Sequence, residues 1–215
     1  MTRRPVDLSL YLVTDTGLCG PRGVPATVEA AVAGGATMVQ LRDPVTTDAD
    51  FVALGLAVRQ VLAGSGVPLI VDDRVHLVQD ISADGVHVGQ RDMSPSQARQ
   101  LLGPDAIVGL SISTIEQVRA ARALGDDVLD YLGVGPVWPT ATKPDHGPAI
   151  GPDGVAAVAA ASPWPVVAIG GITTVRAGAL RHSGVAGVAV VSAVCAAEDP
   201  AAAAASLRAT WDGQP

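Results

Sequence analysis

Eight short apolar runs, each followed by a polar or glycine loop and then an amphipathic stretch, recur through the 215 residues at roughly 25 residues per unit. That repeat, together with 48% apolar residues to fill a core and no GxGxxG turn, predicts an α/β chain folded as a single (β/α)8 (TIM) barrel domain over residues 1–215. The competing architecture is an open, doubly wound sheet, which eight units without the dinucleotide turn make the weaker choice.

The elements follow in order. Residues 9–13 read as the first strand, with a Gly/Pro loop through Pro25 and a helix over 27–33. Residues 38–41 give the second strand and 48–62 its helix. The third and fourth strands, 68–71 and 85–88, are too short for helices and flank residues 74–81, whose apolar Val75, Leu77, Val78 and Ile81 have helical spacing. Such a βαβ unit sets its two strands parallel, so the acidic residues that follow them, Asp73 and Asp92, emerge at the same edge of the sheet. Ser94 then reads as an N-cap with Pro95 at the first helical position, for a helix ending at Leu102. The remaining pairs are strand 107–111 with helix 114–124, strand 131–134 with helix 155–161, strand 166–169 with helix 175–183, and strand 188–191 with helix 201–209.

Charge and cysteine usage exclude several functions. With 14 basic against 21 acidic residues the net charge is -7, and no basic tract exists to neutralise a phosphodiester backbone, so nucleic acid is not an expected partner. Cys19 and Cys195 lack CxxC or Cys/His spacing, so neither a disulfide framework nor a zinc site is signalled. A reducing, cytoplasmic setting is expected. Arg3 and Arg4 precede an apolar run too short for a signal-peptide core, and the alanine-rich tail is broken by Glu198, Asp199 and Pro200, so no membrane span is expected.

In a barrel of this kind the chemistry sits where strands end and βα loops begin. In order, those positions hold Thr14 and Asp15; Gln40, Arg42 and Asp43; Asp72 and Asp73; Gln90 and Asp92; Ser111, Ser113 and Thr114; the loop 135–151; Gly170 and Gly171; and Val191 and Ser192. Loops seven and eight of many barrels hold a phosphate, and Gly170, Gly171 and Ser192 suit that task; a simple tight turn is the alternative. Asp73 and Asp92 suit one Mg2+, which takes one or two carboxylates and completes its shell with water and phosphate oxygens. A diphosphate is then the natural guest. The bland alternative is that each Asp caps a helix or pairs with a neighbouring arginine, Arg74 or Arg91. His87 reads as a hydrogen-bonded interior histidine, and His76, His146 and His182 as surface or loop residues.

The sixth loop is long and proline-rich, and it gathers Thr140, Thr142 and Lys143, groups that suit a phosphorylated substrate if aimed inward or a solvated mobile loop if not. No serine sits in a GxSxG elbow and neither cysteine has a histidine nearby in sequence. Positioning and charge stabilisation of a departing phosphate group are therefore expected rather than covalent catalysis.

The order and spacing of Leu10 to Asp15 (LYLVTD), Val39 to Asp43 (VQLRD), Asp72-Asp73-Arg74, Gly85 to Asp92 (GVHVGQRD), Gly133 to Pro136 with Thr140 to Pro144 (TATKP), Ile169 to Ile172 (IGGI) and Val191-Ser192 resemble the thiamine phosphate synthase family over nearly the whole chain. The resemblance implies a (β/α)8 barrel that joins a pyrimidine diphosphate to a thiazole phosphate and releases pyrophosphate with magnesium. It implies that Gln40 and Arg42, within the substrate-contacting run Gln40, Leu41, Arg42, Asp43 and Pro44, hold the pyrimidine diphosphate with Asp72. By the same resemblance Asp73 and Asp92 are the metal ligands and Ser111 contacts the pyrimidine. Thr140, Ala141 and Thr142 form the thiazole-phosphate loop, and Lys143 lies beside the diphosphate. Gly170 or Gly171, with Val191 and Ser192, cradles the thiazole phosphate. Arg42, Ser111 and Lys143 are the implied catalytic residues. A homodimer is suggested by the resemblance alone.

Two positions depart from the family pattern: Pro44 stands where lysine is usual and Asp72 where asparagine is. The site therefore has one positive charge fewer and one negative charge more beside a diphosphate. At about 1.5–3 kcal/mol per charge-assisted contact, weaker substrate binding is the expected consequence. A thiazole tautomerase and a non-catalytic thiamine-phosphate binding or regulatory protein are the alternative functions. The retained GQRD run argues against the first, and only Pro44 and Asp72 favour the second.

Overall fold

In the computed structural model, which describes residues 6–143 and 147–214, eight parallel strands close into one barrel in sequence order. Arg3, Arg4, Pro144 and His146 lie outside the described residues. The strands are β1 (Leu10–Val13), β2 (Met38–Leu41), β3 (Leu69–Asp72), β4 (Gly85–Val88), β5 (Ile107–Ile112), β6 (Tyr131–Val134), β7 (Val166–Ile169) and β8 (Gly187–Val190). Each pairs in parallel with its sequence neighbours, and β8 closes on β1 through Leu10 opposite Val188 and Leu12 opposite Val190. Closure removes both sheet edges, which disposes of the open doubly wound alternative.

The helices are α1 (Thr16–Cys19), α2 (Val24–Ala33), α3 (Asp48–Val61), α4 (Val78–Ile81), α5 (Pro95–Leu102), α6 (Ile115–Arg122), α7 (Gly151–Ala161), α8 (Thr174–Ala179), α9 (Ser192–Cys195) and α10 (Pro200–Asp212). Local chemistry explains the best-defined starts. Ser94 and Thr114 each accept from the backbone N–H three residues on, while Gln97 and Gln117 reach back to the cap, completing two capping boxes. Thr47 and Asp199 cap α3 and α10 in the simpler way.

Several boundaries differ from the sequence expectation. Residues 74–81 hold a 3₁₀ turn, Val75–Leu77, followed by the short α4 rather than one continuous helix. Helices α1 and α9 are four residues each, too short to announce themselves by periodicity. Helix α7 begins at Gly151 rather than 155, and α8 stops at Ala179 rather than 183. Strand β8 ends at Val190, so Val191 is the residue that opens α9.

Alternation along the strands divides the core in two. Leu8, Tyr11, Val13, Met38, Ile70, Tyr131, Val167 and Ala189 fill the barrel interior. Their neighbours, among them Leu10, Leu12, Val39, Leu41 and Val71, pack outward against the helices in the larger cluster. On the face opposite the site, Arg99 and Asp130 form a nearly buried pair at 2.6 Å, and Asp130 also accepts from the Val108 N–H.

Candidate active site

The carboxyl ends of the strands surround a cavity of about 470 Å³. Its floor is a polar layer inside the barrel. Gln40 Nε2 donates to the Tyr11 hydroxyl at 2.7 Å, which lies 2.9 Å from the Tyr131 hydroxyl. Tyr131 lies 2.9 Å from His87 Nδ1, and His87 Nε2 lies 2.8 Å from Ser111 Oγ. Two glycines make this layer possible: a Cβ at Gly109 would sit 2.2 Å from Tyr131 and 2.5 Å from His87, and one at Gly133 would sit 2.9 Å from His87. His87 is thus the hydrogen-bonded interior histidine that its strand position predicts. Burial, reinforced by the Lys143 charge, pushes its imidazole down to about 3, so it is neutral at physiological pH.

One wall carries the charge. Arg42, whose backbone N–H is held by Thr14 Oγ1, extends between two carboxylates, 3.5 Å from Asp72 and 3.7 Å from Asp15. Burial raises the Asp72 carboxyl, against the opposing pull of Lys143 and Arg42. Asp73 follows with φ of +57°, a left-handed conformation that aspartate tolerates better than most residues. Its carboxyl interacts with that of Asp92 on the lining of the same cavity, and Asp92 also accepts from the Gly89 N–H at 2.8 Å. A Cβ at Gly89 would meet the Asp92 carboxylate at 2.8 Å, so a side chain there would push that carboxylate aside.

Asp73 and Asp92 therefore meet, as their place on neighbouring strands predicts. Arg74 does not neutralise Asp73: it is held by Asp48, by the Asp43 and Thr46 carbonyls and over the Phe51 ring. Burial above all, then the charge of Asp72 and the bond to Asp92, raises the Asp73 carboxyl. Two such groups in contact share either a proton or a cation. Among the described residues no group of three or more His, Cys, Asp or Glu could hold a metal ion. Two carboxylates open to a cavity nevertheless fit magnesium, which keeps most of its shell for water and phosphate oxygens.

The opposite wall is built from β6 to β8. Gly170 and Gly171 have φ of +102° and +66°, and a Cβ at Gly170 would lie 2.6 Å from Pro136, so this turn admits only glycine without rearrangement. The start of the sixth loop runs beside it, with the Val137 and Trp138 N–H groups donating to the Ile169 and Gly170 carbonyls. Arg176 secures the turn by donating to the Gly171 carbonyl at 2.6 Å and lying over the Trp138 ring. Thr140, Thr142 and Lys143 line the cavity from this loop, and Gly170, Val191 and Ser192 face them. Both ends of the loop are thus held by backbone bonds, and its Thr140, Thr142 and Lys143 take the inward position rather than the solvated one.

Of the residues nominated from sequence, Gln40, Arg42, Asp72, Asp73, Asp92, Ser111, Thr140, Thr142, Lys143, Gly170, Val191 and Ser192 line this one cavity. Five others do not. Leu41 is fully buried on the outer face of β2, because alternation turns it toward the helices. Asp43 is spent on the loop itself, accepting from Thr16 Oγ1 and the Val45 and Thr46 N–H groups. Pro44 is exposed on that loop, Ala141 is exposed on the sixth, and Gly171 serves the turn. Sequence reasoning missed Tyr11 and Tyr131, which line the cavity floor; aromatic hydroxyls at inward strand positions were the available signal. It also missed that α1 and α9 pack together and bring Cys19 and Cys195 into the same buried region; both are free thiols, and Cys195 donates to the Val13 carbonyl at 3.7 Å.

Residues 10–194 match the family model described as thiamine monophosphate synthase. The chain is 50% identical over 206 residues to a thiamine-phosphate synthase of Xanthobacter autotrophicus, covering 96% of each chain. It is 46% identical over 200 residues to one of a Psychrobacter species, covering 93% of each. Among solved structures, a thiamine phosphate pyrophosphorylase from Pyrococcus furiosus is similar with a TM-score of 0.86, at 35% identity and 97% coverage of both chains.

Proposed function

The chain belongs to the thiamine monophosphate synthase family, and from that premise we propose that it is a transferase of thiamine biosynthesis joining a pyrimidine diphosphate to a thiazole phosphate. The products are thiamine phosphate and pyrophosphate. The observation that carries this reading is the meeting of Asp73 and Asp92 at the mouth of a cavity that also holds Arg42 and Lys143.

In this reading the pyrimidine diphosphate lies over the polar floor, with Gln40 and Ser111 toward the ring and Arg42 and Lys143 toward the diphosphate. Magnesium held by Asp73 and Asp92 would supply positive charge to the leaving group. Arg42, braced between Asp72 and Asp15, presents its guanidinium in a fixed orientation. Thr140, Thr142, Gly170 and Ser192 hold the thiazole phosphate on the facing wall, so that its ring nitrogen is directed at the exocyclic carbon of the pyrimidine. That carbon's bond to the diphosphate oxygen breaks, the carbon–nitrogen bond forms, and the proton inventory is unchanged. No protein nucleophile is needed.

The discriminating experiment is a coupled assay for pyrophosphate with both substrates, with and without magnesium. The synthase requires all three components. Conversion of thiazole phosphate without the diphosphate would instead indicate a tautomerase, and tight thiamine phosphate binding with no turnover a binding protein. No helix among the described residues is long and apolar enough to cross a membrane. A cytoplasmic location, and a homodimer checked by light scattering, complete the proposal.

A further inference from the structure

Five polar side chains from five different strands, Gln40, Tyr11, Tyr131, His87 and Ser111, are joined end to end beneath the cavity. Each link holds one proton, and a Tyr11 hydroxyl that accepts from Gln40 still has its own proton to give, so the run in which Tyr11 donates onward is the one that spends every proton within the chain. Gln40 donates its amide N–H to the Tyr11 oxygen. The Tyr11 proton then has the Tyr131 oxygen as its acceptor, and the Tyr131 proton has His87 Nδ1. A neutral imidazole that accepts at Nδ1 carries its proton on Nε2, which faces Ser111 Oγ at 2.8 Å. Each ring nitrogen faces a hydroxyl oxygen rather than a carboxylate, the setting of a neutral imidazole with one proton to place. Ser111 then accepts from His87 and has its own proton left for the cavity.

We propose that His87 is a positioning residue, locked by Tyr131 and Tyr11 as the Nε2–H tautomer so that the Ser111 hydroxyl acts as a donor to an acceptor atom of the pyrimidine diphosphate. The identity of that acceptor, a ring nitrogen or a phosphate oxygen, rests on the functional reading above; the tautomer does not. With the Gln40 amide turned over, every bond would reverse, and Ser111 would meet the substrate only as an acceptor. Conserving ring shape while deleting one link tests the difference. Tyr131→Phe keeps the edge-to-face packing against Tyr11 and the tilted contact with His87.

The measurement is a two-bond proton–nitrogen correlation spectrum of the full-length protein with isotope-labelled histidine, at neutral pH and without substrate. The wild type should show His87 as pure Nε2–H, and Tyr131→Phe should show a mixture of tautomers. Steady-state pyrophosphate release should show kcat/KM for the pyrimidine diphosphate falling about tenfold in Tyr131→Phe, with KM for the thiazole phosphate unchanged. An Nδ1–H wild type overturns the proposal, and so does a Tyr131→Phe enzyme with wild-type kinetics. Should Tyr131→Phe fail to fold, the wild-type spectrum still decides the tautomer, and Tyr11→Phe replaces it in the kinetic arm. A wild type that is Nε2–H yet releases no pyrophosphate sustains the relay and removes the synthase reading.

Discussion

Asp72→Asn tests the charge balance of the site most directly, because it removes one negative charge while keeping the shape of the side chain. Asp72 lies 3.5 Å from the Arg42 guanidinium, and both side chains are nearly buried. At an effective dielectric of about 20, the gross attraction over that separation is about 4–5 kcal/mol, of which desolvation of the carboxylate offsets the larger part. A charge-assisted contact contributes a net of about 1.5–3 kcal/mol, and Arg42 keeps its second partner Asp15 at 3.7 Å. Substitution therefore frees part of the Arg42 charge for an incoming diphosphate and removes a repulsion from it. The expected result is a KM for the pyrimidine diphosphate lower by about tenfold, equivalent to about 1.4 kcal/mol, with kcat equal or higher. Pyrophosphate release at saturating thiazole phosphate and magnesium measures it. A kcat reduced more than about tenfold, in a variant with unchanged thermal midpoint, would refute the reasoning and show that Asp72 is needed to aim Arg42.

Pro44→Lys should leave activity unchanged or raise it, since Pro44 is exposed and off the cavity; a large loss by the same assay would mean that the second loop has been rebuilt around proline. Asp92→Asn should raise the magnesium concentration for half-maximal turnover at least about tenfold without lowering the thermal midpoint, because it relieves the contact between two carboxyl groups. Magnesium titration that matches the wild type would remove Asp92 from the metal site. Leu41→Ala should cost about 2–5 kcal/mol in urea unfolding, the range for truncating a buried leucine, while KM at low temperature stays at the wild-type value. A KM change without destabilisation would restore Leu41 to the binding site. His87 is held down to about 3 in the fold and rises to about 6.5 when unfolded, so the stability it permits is complete above pH of about 6.5 and is lost as pH falls from there toward 3. The advantage of the wild type over His87→Gln should shrink by up to about 1.4 kcal/mol per pH unit below about 6.5, and a pH-independent difference in urea unfolding would show that His87 is not held neutral.

Much of the site was legible because a barrel converts chain order into position. Once eight strand ends are known, the residues that follow them share a rim, which is why Arg42, Asp73, Asp92, Lys143 and Ser192 could be nominated together. The nominated residues that do not line the cavity cluster where a motif is read as a block. Leu41, Asp43 and Pro44 lie beside Arg42 in sequence, yet strand alternation sends Leu41 outward, the loop's own N–H groups claim Asp43, and Pro44 faces solvent. Arg74 illustrates the same limit: it adjoins Asp73 in the chain but is drawn to Asp48 and Phe51.

The periodicity of apolar runs was enough by itself to determine the eight strand–helix units, their parallel direction and the shared edge of Asp73 and Asp92, because each is a property of local pattern and chain direction, whereas the pairing of β8 with β1 decided for a closed barrel over an open sheet. Only the tertiary structure decided that Tyr11, Tyr131 and His87 join Gln40 to Ser111, and that Gly109 and Gly133 leave room for them. Those contacts link strands far apart in the chain across the barrel interior, where the distance between side chains is set by closure rather than by any spacing written along the sequence.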